Sequence, residues 1–247
     1  MTQKKFIALS VKGLFAIGIV AFFIWSYTAD SYEIIFMYPE EFLYLLKQHL
    51  KLVTASSLLA ILVAVPLGIL ITRPRFKKLE WIVLNTANLG QTIPSLAILA
   101  LVMSFLGTGF YSSIFALFAY SILPILQNTA VGLSSIDPEI MDSAKGMGYT
   151  PRQTLWRIEI PNAIYSIMAG IRTALVMNIG TAALAYLVGG SGFGDWIFTG
   201  IVMDDHSYLL SGAVPVTLMA ILTDRILRLV EMKVTPKGLQ RSTKIAS

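Results

Sequence analysis

No cysteine occurs among the 247 residues, and only two histidines do. Disulfides, thiolate metal sites and thiol nucleophiles are thereby excluded. His49 and His206 both fall near segments read as outer loops and make no metal-binding constellation. Charge is scarce too: Asp, Glu, Lys and Arg supply 13% of the chain, about half of the ~25% usual in a soluble domain. An ordinary soluble fold of this length is excluded. What the chain has instead is 55% hydrophobic residues and a mean hydropathy of +0.71. Crossing ~30 Å of hydrocarbon takes ~20 helical residues. Stretches at roughly 7–27, 52–72, 81–106, 110–131, 164–188 and 208–230 meet that length and are too long for barrel strands. The expected class is an all-α, polytopic integral membrane protein with about six transmembrane helices.

The net charge of +5 invites a nucleic-acid reading, but its distribution argues otherwise. Lys4, Lys5 and Lys12 lie at or before the start of the first stretch; Arg73, Arg75, Lys77 and Lys78 follow the second; Arg225, Arg228, Lys233, Lys237, Arg241 and Lys244 close the chain. Threaded alternately, these sites share one side with Lys145, Arg152 and Arg157. By the positive-inside rule that side is cytoplasmic, and both termini are predicted there. Asp30, Glu33, Glu40, Glu41, Asp195, Asp204 and Asp205 mark the other side. Ala21 to Tyr27 is bulky where a cleavage site needs small residues, so the first stretch is read as a retained anchor rather than a signal peptide.

Polar residues inside the apolar stretches are the next signal. Asn85, Asn88, Thr92 and Ser95 recur at helical spacing beside Gln91, with Gly90 and Pro94 at the centre, where the proline should kink the helix. The next stretch repeats the theme with Ser121, Pro124 and Asn128. With Arg172 and Asn178 these are candidates for a translocation pathway; interhelical hydrogen bonding that only holds the bundle together is the alternative. Arg172 lies about eight residues inside the fifth stretch, where a charge costs at least ~2.5 kcal/mol on insertion scales. Asp224 reaches a similar depth in the sixth, so an Arg172–Asp224 ion pair is one reading; Arg172 reaching backbone carbonyls or the aqueous pathway is the alternative. Nearer the outer side, Phe42 to His49 reads either as an interfacial amphipathic helix or as an early start to the second span. Gly189, Gly190, Gly192 and Gly194 read as a flexible gating turn or an ordinary connection.

Between the fourth and fifth stretches lies a polar loop, 134–163. Asp137 before Pro138 suits an N-cap and first helical position, and Glu139 adds negative charge to the first turn. Gly146 and Gly148 can end that helix in a left-handed conformation. Thr150-Pro151-Arg152-Gln153 has the form of a capping box opening a second short helix, expected to stop before Pro161. The loop is too well punctuated for a disordered linker.

Asp142-Ser143-Ala144, three residues, Gly148, nine residues, then Ile158-Glu159-Ile160-Pro161 resembles the EAA loop of ABC-importer permeases. That loop is written Glu-Ala-Ala, three residues, Gly, nine residues, Ile-x-Leu-Pro. The spacing matches throughout, with Asp for Glu, Ser for the first Ala and Ile for Leu. Gly90 to Ala97, Tyr120 to Leu126, Ala144-Lys145-Gly146-Met147-Gly148, Ala169 to Thr173, Gly212 to Thr217 and Val234 to Gln240 narrow the likeness to the osmoprotectant-importer permeases, over about residues 45–240. The resemblance implies a type I ABC importer transmembrane fold. It divides the chain into an anchor and outer segment (1–50), a permease domain with its coupling loop (51–232) and a basic tail (233–247).

It further implies that Asp142, Ser143, Ala144, Lys145, Gly146, Gly148, Arg152, Ile158 and Pro161 seat the loop on a cytoplasmic ABC ATPase dimer. Other partners are a second permease subunit, identical or paralogous, an extracytoplasmic substrate-binding protein and bacterial inner-membrane lipid; nucleic acid is not among them. The subunit itself is expected to perform no catalysis and hold no cofactor, ATP-Mg belonging to the ATPase. Glycine betaine, carnitine, choline or related quaternary amines are the implied cargo, and Arg172 could meet a betaine carboxylate. A permease for another small solute such as an amino acid is the alternative. An intramembrane enzyme lacks paired carboxylates or metal ligands, and a channel would need no ATPase.

Overall fold

In the computed structural model, residues 3–28 and 30–236 are described. The N-terminal lysine side chains and the tail from Lys237 lie outside the described residues. All regular structure among the described residues is helical: α1 (Gln3–Thr28), α2 (Glu33–Met37), α3 (Pro39–Ile71), α4 (Lys77–Thr92), α5 (Ser95–Leu106), α6 (Phe110–Ser134), α7 (Pro138–Gly146), α8 (Pro151–Thr154), α9 (Ile160–Ala182), α10 (Gly194–Met203) and α11 (His206–Val234). A π turn, Leu155–Glu159, and 3-10 turns at Pro74–Phe76 and Ala183–Val188 join them.

The bundle is built around α6, which packs along both α3 and α9, with α11 on the other side of α9. Without a hydrophobic force between helices in lipid, association relies on close approach of small residues and interhelical hydrogen bonds. Both are present. A Cβ at Gly68, Gly132 or Gly170 would press on Thr129, Ser166 or Asn128 at 2.6–2.7 Å, so these helix crossings require glycine. Asn178, fully buried, donates to Ser56 Oγ at 2.8 Å and Ser57 Oγ at 2.9 Å, tying α9 to α3. Ser166 Oγ donates to the Asn128 carbonyl at 2.8 Å, tying α9 to α6.

Among the described residues, three helical segments, Pro39–Ile71, Phe110–Ser134 and Pro151–Val188, are long and apolar enough to cross a membrane; the bent pair Pro74–Thr92 and Ser95–Leu106 passes the same test when taken together. The first and last expected spans fall on α1 and α11. Four expectations are corrected. The stretch 81–106 is two helices bent by 100°, not one kinked helix, because Pro94 forces Ile93 to extended backbone (φ −74°, ψ 125°). Ser95 therefore leaves the face that carries Asn85, Asn88 and Thr92. The helix opened by Pro151 does not stop before Pro161: it runs on to Val188. An α turn would drive the proline ring into the preceding carbonyl, and the π turn relieves this, with Ile160 N–H bonding Leu155 O and Asn162 Nδ2 taking Ile158 O at 2.7 Å. The glycine-rich outer segment holds a packed helix, α10, rather than a flexible turn, since Phe193 and Trp196 are at most 1% exposed. His49 is not at a loop but fully buried in α3, its Nε2 3.0 Å from Ile179 O. Residues 42–49 are simply the early part of α3.

Candidate functional site

One end of the bundle gathers the C-termini of α3, α6 and α11, the start of α4, and all of α7, α8 and the π turn. Of the basic residues placed there by threading, Lys77, Lys78, Lys145, Arg152, Arg157, Arg225, Arg228 and Lys233 sit on these elements and Arg73 and Arg75 on the connection between α3 and α4, while Glu33, Glu40, Glu41, Asp195, Asp204 and Asp205 belong to the far end. α6 begins at that far end, where Phe110 shares a cleft with Tyr44, Gln48 and Gly189. The bent α4–α5 pair consequently traverses the bundle instead of returning.

At the loop end, Asp137 caps α7 by accepting from Glu139 N–H at 2.9 Å. α7 closes in a Schellman turn: Gly148 N–H bonds Lys145 O at 2.9 Å and Tyr149 N–H bonds Ala144 O at 3.1 Å. Gly148 takes φ +74° with open space around it, so the backbone's handedness demands glycine there. Thr150 and Gln153 cap each other reciprocally to open α8. Ala144 is fully buried, whereas Asp142 and Lys145 face outward and pair at 2.8 Å, an exposed contact worth little to stability. Ser143 Oγ returns to Glu139 O; Gly146 is the last residue of α7 and Arg152 is exposed, while Ile158 and Pro161 are half-buried. Ile140, Met147 and Trp156 stand 40%, 61% and 63% exposed along the same loop. Sequence reasoning passed over these three, although large apolar residues in a polar, well-capped segment were the available signal.

The loop is anchored to the bundle by two charged contacts. Glu159, 7% exposed, ends the π turn and receives a two-pronged bond from Arg73, Nη1 to Oε1 at 3.1 Å and Nη2 to Oε2 at 2.5 Å. Ser134 Oγ at the end of α6 donates to Glu80 Oε1 of α4 at 2.7 Å. A cavity of about 440 Å³ lies between, lined by Arg73, Lys77, Glu80, Asp142, Lys145 and Glu159 among others.

Arg172 Nη1 lies 3.5 Å from Asp224 Oδ1, and its Nε is 3.4 Å from Glu231 Oε2. One guanidinium therefore faces two α11 carboxylates. Glu231 was missed in the sequence, though it follows Asp224 by seven residues and so shares its helix face. The pathway candidates are not gathered onto one surface. Asn85, Asn88, Gln91 and Thr92 are exposed on α4, with Gln91 Nε2 donating to Gln127 Oε1 at 3.0 Å. Ser95 and Asn128 are half-buried, Asn128 Nδ2 returning to Pro124 O at 2.8 Å. Ser121 and Asn178 are buried between helices.

Residues 64–236 match the model of a family described as binding-protein-dependent transport system inner membrane component. Among individual relatives, the glycine betaine/carnitine/choline transport system permease protein OpuCB of Bacillus subtilis is 47% identical over 200 residues, covering 81% of this chain and 91% of that one. The osmoprotectant import permease protein OsmY of Salmonella typhimurium is 38% identical over 236 residues, covering 96% and 98%. In fold, the chain is similar to an inward-facing structure of the MetNI methionine ABC transporter, with a TM-score of 0.71 at 19% identity over 79% of this chain and 96% of that one. The chain belongs to the binding-protein-dependent transport system inner membrane component family.

Proposed function

We propose that this chain is the transmembrane permease subunit of an ATP-binding-cassette importer for osmoprotectants, its cargo glycine betaine, carnitine, choline or a related quaternary amine. The observation that carries the reading is 47% identity, along nearly the whole of a relative's length, to a permease named for those three solutes. The likeness to a methionine transporter is one of fold at 19% identity and does not favour an amino acid. The chain sits in a bacterial inner membrane with both termini cytoplasmic, which places the α7–α8 loop in the cytoplasm. There its exposed Met147 and Trp156, with Asp142 and Arg152, meet a separate ATPase dimer that supplies the ATP-Mg chemistry, while this subunit catalyses nothing.

A binding protein delivers solute at the far end. A second permease subunit covers the exposed polar face of α4, enclosing a pathway that includes Asn85, Asn88 and Gln91. ATP-driven closure of the dimer biases the helices between inward-open and outward-open states through the loop, as any coupling between two sites requires. Uptake of labelled glycine betaine, carnitine and choline in cells lacking the subunit tests this. Restored uptake of at least one solute by the wild-type gene, and loss with Gly148 or Asp142 variants that still assemble, is the expected result. Uptake indifferent to the gene would overturn the assignment.

A further inference from the structure

The Arg73–Glu159 contact joins parts of the chain 86 residues apart. Arg73 follows the last turn of α3, and besides the two bonds to Glu159 its Nε donates to Ile69 O at 3.0 Å and Nη2 to Thr72 Oγ1 at 3.2 Å. A single guanidinium thus closes the C-terminus of α3, where a cation is favoured by the helix dipole, and grips the residue at which the loop becomes α9. The planar fork gives this grip a direction that a point charge lacks. Burial of the Glu159 side chain, 9% exposed, keeps the pair from being screened away as a surface contact would be.

Glu159 also ends the π turn, which interrupts the long Pro151–Val188 helix near the loop; the other departure from α geometry, the 3-10 turn Ala183–Val188, lies at its opposite end. Sharp helix kinks commonly fall at π turns. Left to itself, a push on α7–α8 could be absorbed there. Fixed to Arg73, the yielding point is tied to α3, which runs the full depth of the bundle and packs on both α6 and α9.

Resting on the functional reading above, we propose that Arg73 and Glu159 are positioning residues that transmit movement of the loop to α3, so that ATP hydrolysis drives transport instead of being dissipated in the π turn. Neither residue contacts the transported solute. The link sets how much solute moves per ATP.

The test uses the full complex, with ATPase and binding protein, in proteoliposomes, and labelled glycine betaine, carnitine and choline as probes. Arg73→Lys keeps the charge but not the fork, and Glu159→Gln keeps the shape but not the charge. ATP hydrolysis should stay within about twofold of wild type while solute moved per ATP falls at least about fivefold, the lower end of ordinary intersite coupling. A residue that only holds the fold together would lower ATP hydrolysis and uptake in step, leaving that ratio unchanged. If Glu159→Gln does not assemble, Arg73→Lys decides. An unchanged ratio in Arg73→Lys overturns the proposal while leaving the importer reading intact. Absence of ATP-driven uptake of all three probes by the wild-type complex overturns both.

Discussion

At the scale of single residues, Gly148 and Arg172 make the sharpest demands. Gly148 has a φ of +74° and nothing near where a Cβ would go, so Gly148→Ala tests backbone handedness alone. The left-handed conformation costs an L-residue roughly 1–2 kcal/mol, and we expect Gly148→Ala to weaken ATPase co-purification and uptake while membrane assembly persists. Gly148→Asn should retain more of both, since asparagine tolerates that conformation. Arg172 neutralises Glu231, whose side chain is only 6% exposed. Breaking a buried pair by removing one partner costs on the order of 3–5 kcal/mol, because the other charge is left uncompensated. Arg172→Ala should therefore lower the yield of folded protein in detergent, and adding Glu231→Gln should restore part of it. The Arg172→Ala and Asp224→Ala effects should be non-additive; strict additivity would remove Asp224 from the network.

At the scale of elements, the loop was legible because its rules are local. Asp137, the Thr150–Gln153 box and Gly148 each act within four residues, and the structure uses all three. Pro94 signalled a break in the third stretch, but its size was not legible, since a right-angle bend depends on what α4 and α5 pack against. Continuity through Pro161 was hidden as well, because a π turn has no composition of its own. Arg73 and Glu159 are polar residues like many others until the fold brings them together. Trp156 and Met147 carry the prediction at this scale. Truncating a hot-spot residue, a class enriched in Trp, costs about 2 kcal/mol or more of binding, so if Trp156 is the anchor, Trp156→Ala should lower ATPase affinity by at least about 30-fold with unchanged thermal stability of the isolated subunit. Equal affinity, measured by titrating purified ATPase, would place the docking surface elsewhere.

For the molecule as a whole, the testable part of the proposal is that a second permease subunit covers the exposed α4 face. Trp81 and Leu89 are about 70% exposed and share the helix with Asn85 and Asn88. The absence of cysteine makes this simple to examine: Asn88→Cys introduces the sole thiol. A short bis-maleimide should then link two subunits at that position in membranes if the pair is identical, and a matching thiol should be needed in the partner if it is paralogous. No product in either arrangement would move the subunit interface off α4. The π turn has a consequence at this scale too. It houses one residue more than an α turn, much as a shim sits in a joint, and so lets Pro161 follow without its ring meeting a carbonyl. Excising a single residue between Leu155 and Ile158 takes the shim out: the helix returns to ordinary pitch ahead of a proline and should kink there. A chain so shortened should still insert and pair, yet carry its loop askew, a bracket bolted at the wrong slant.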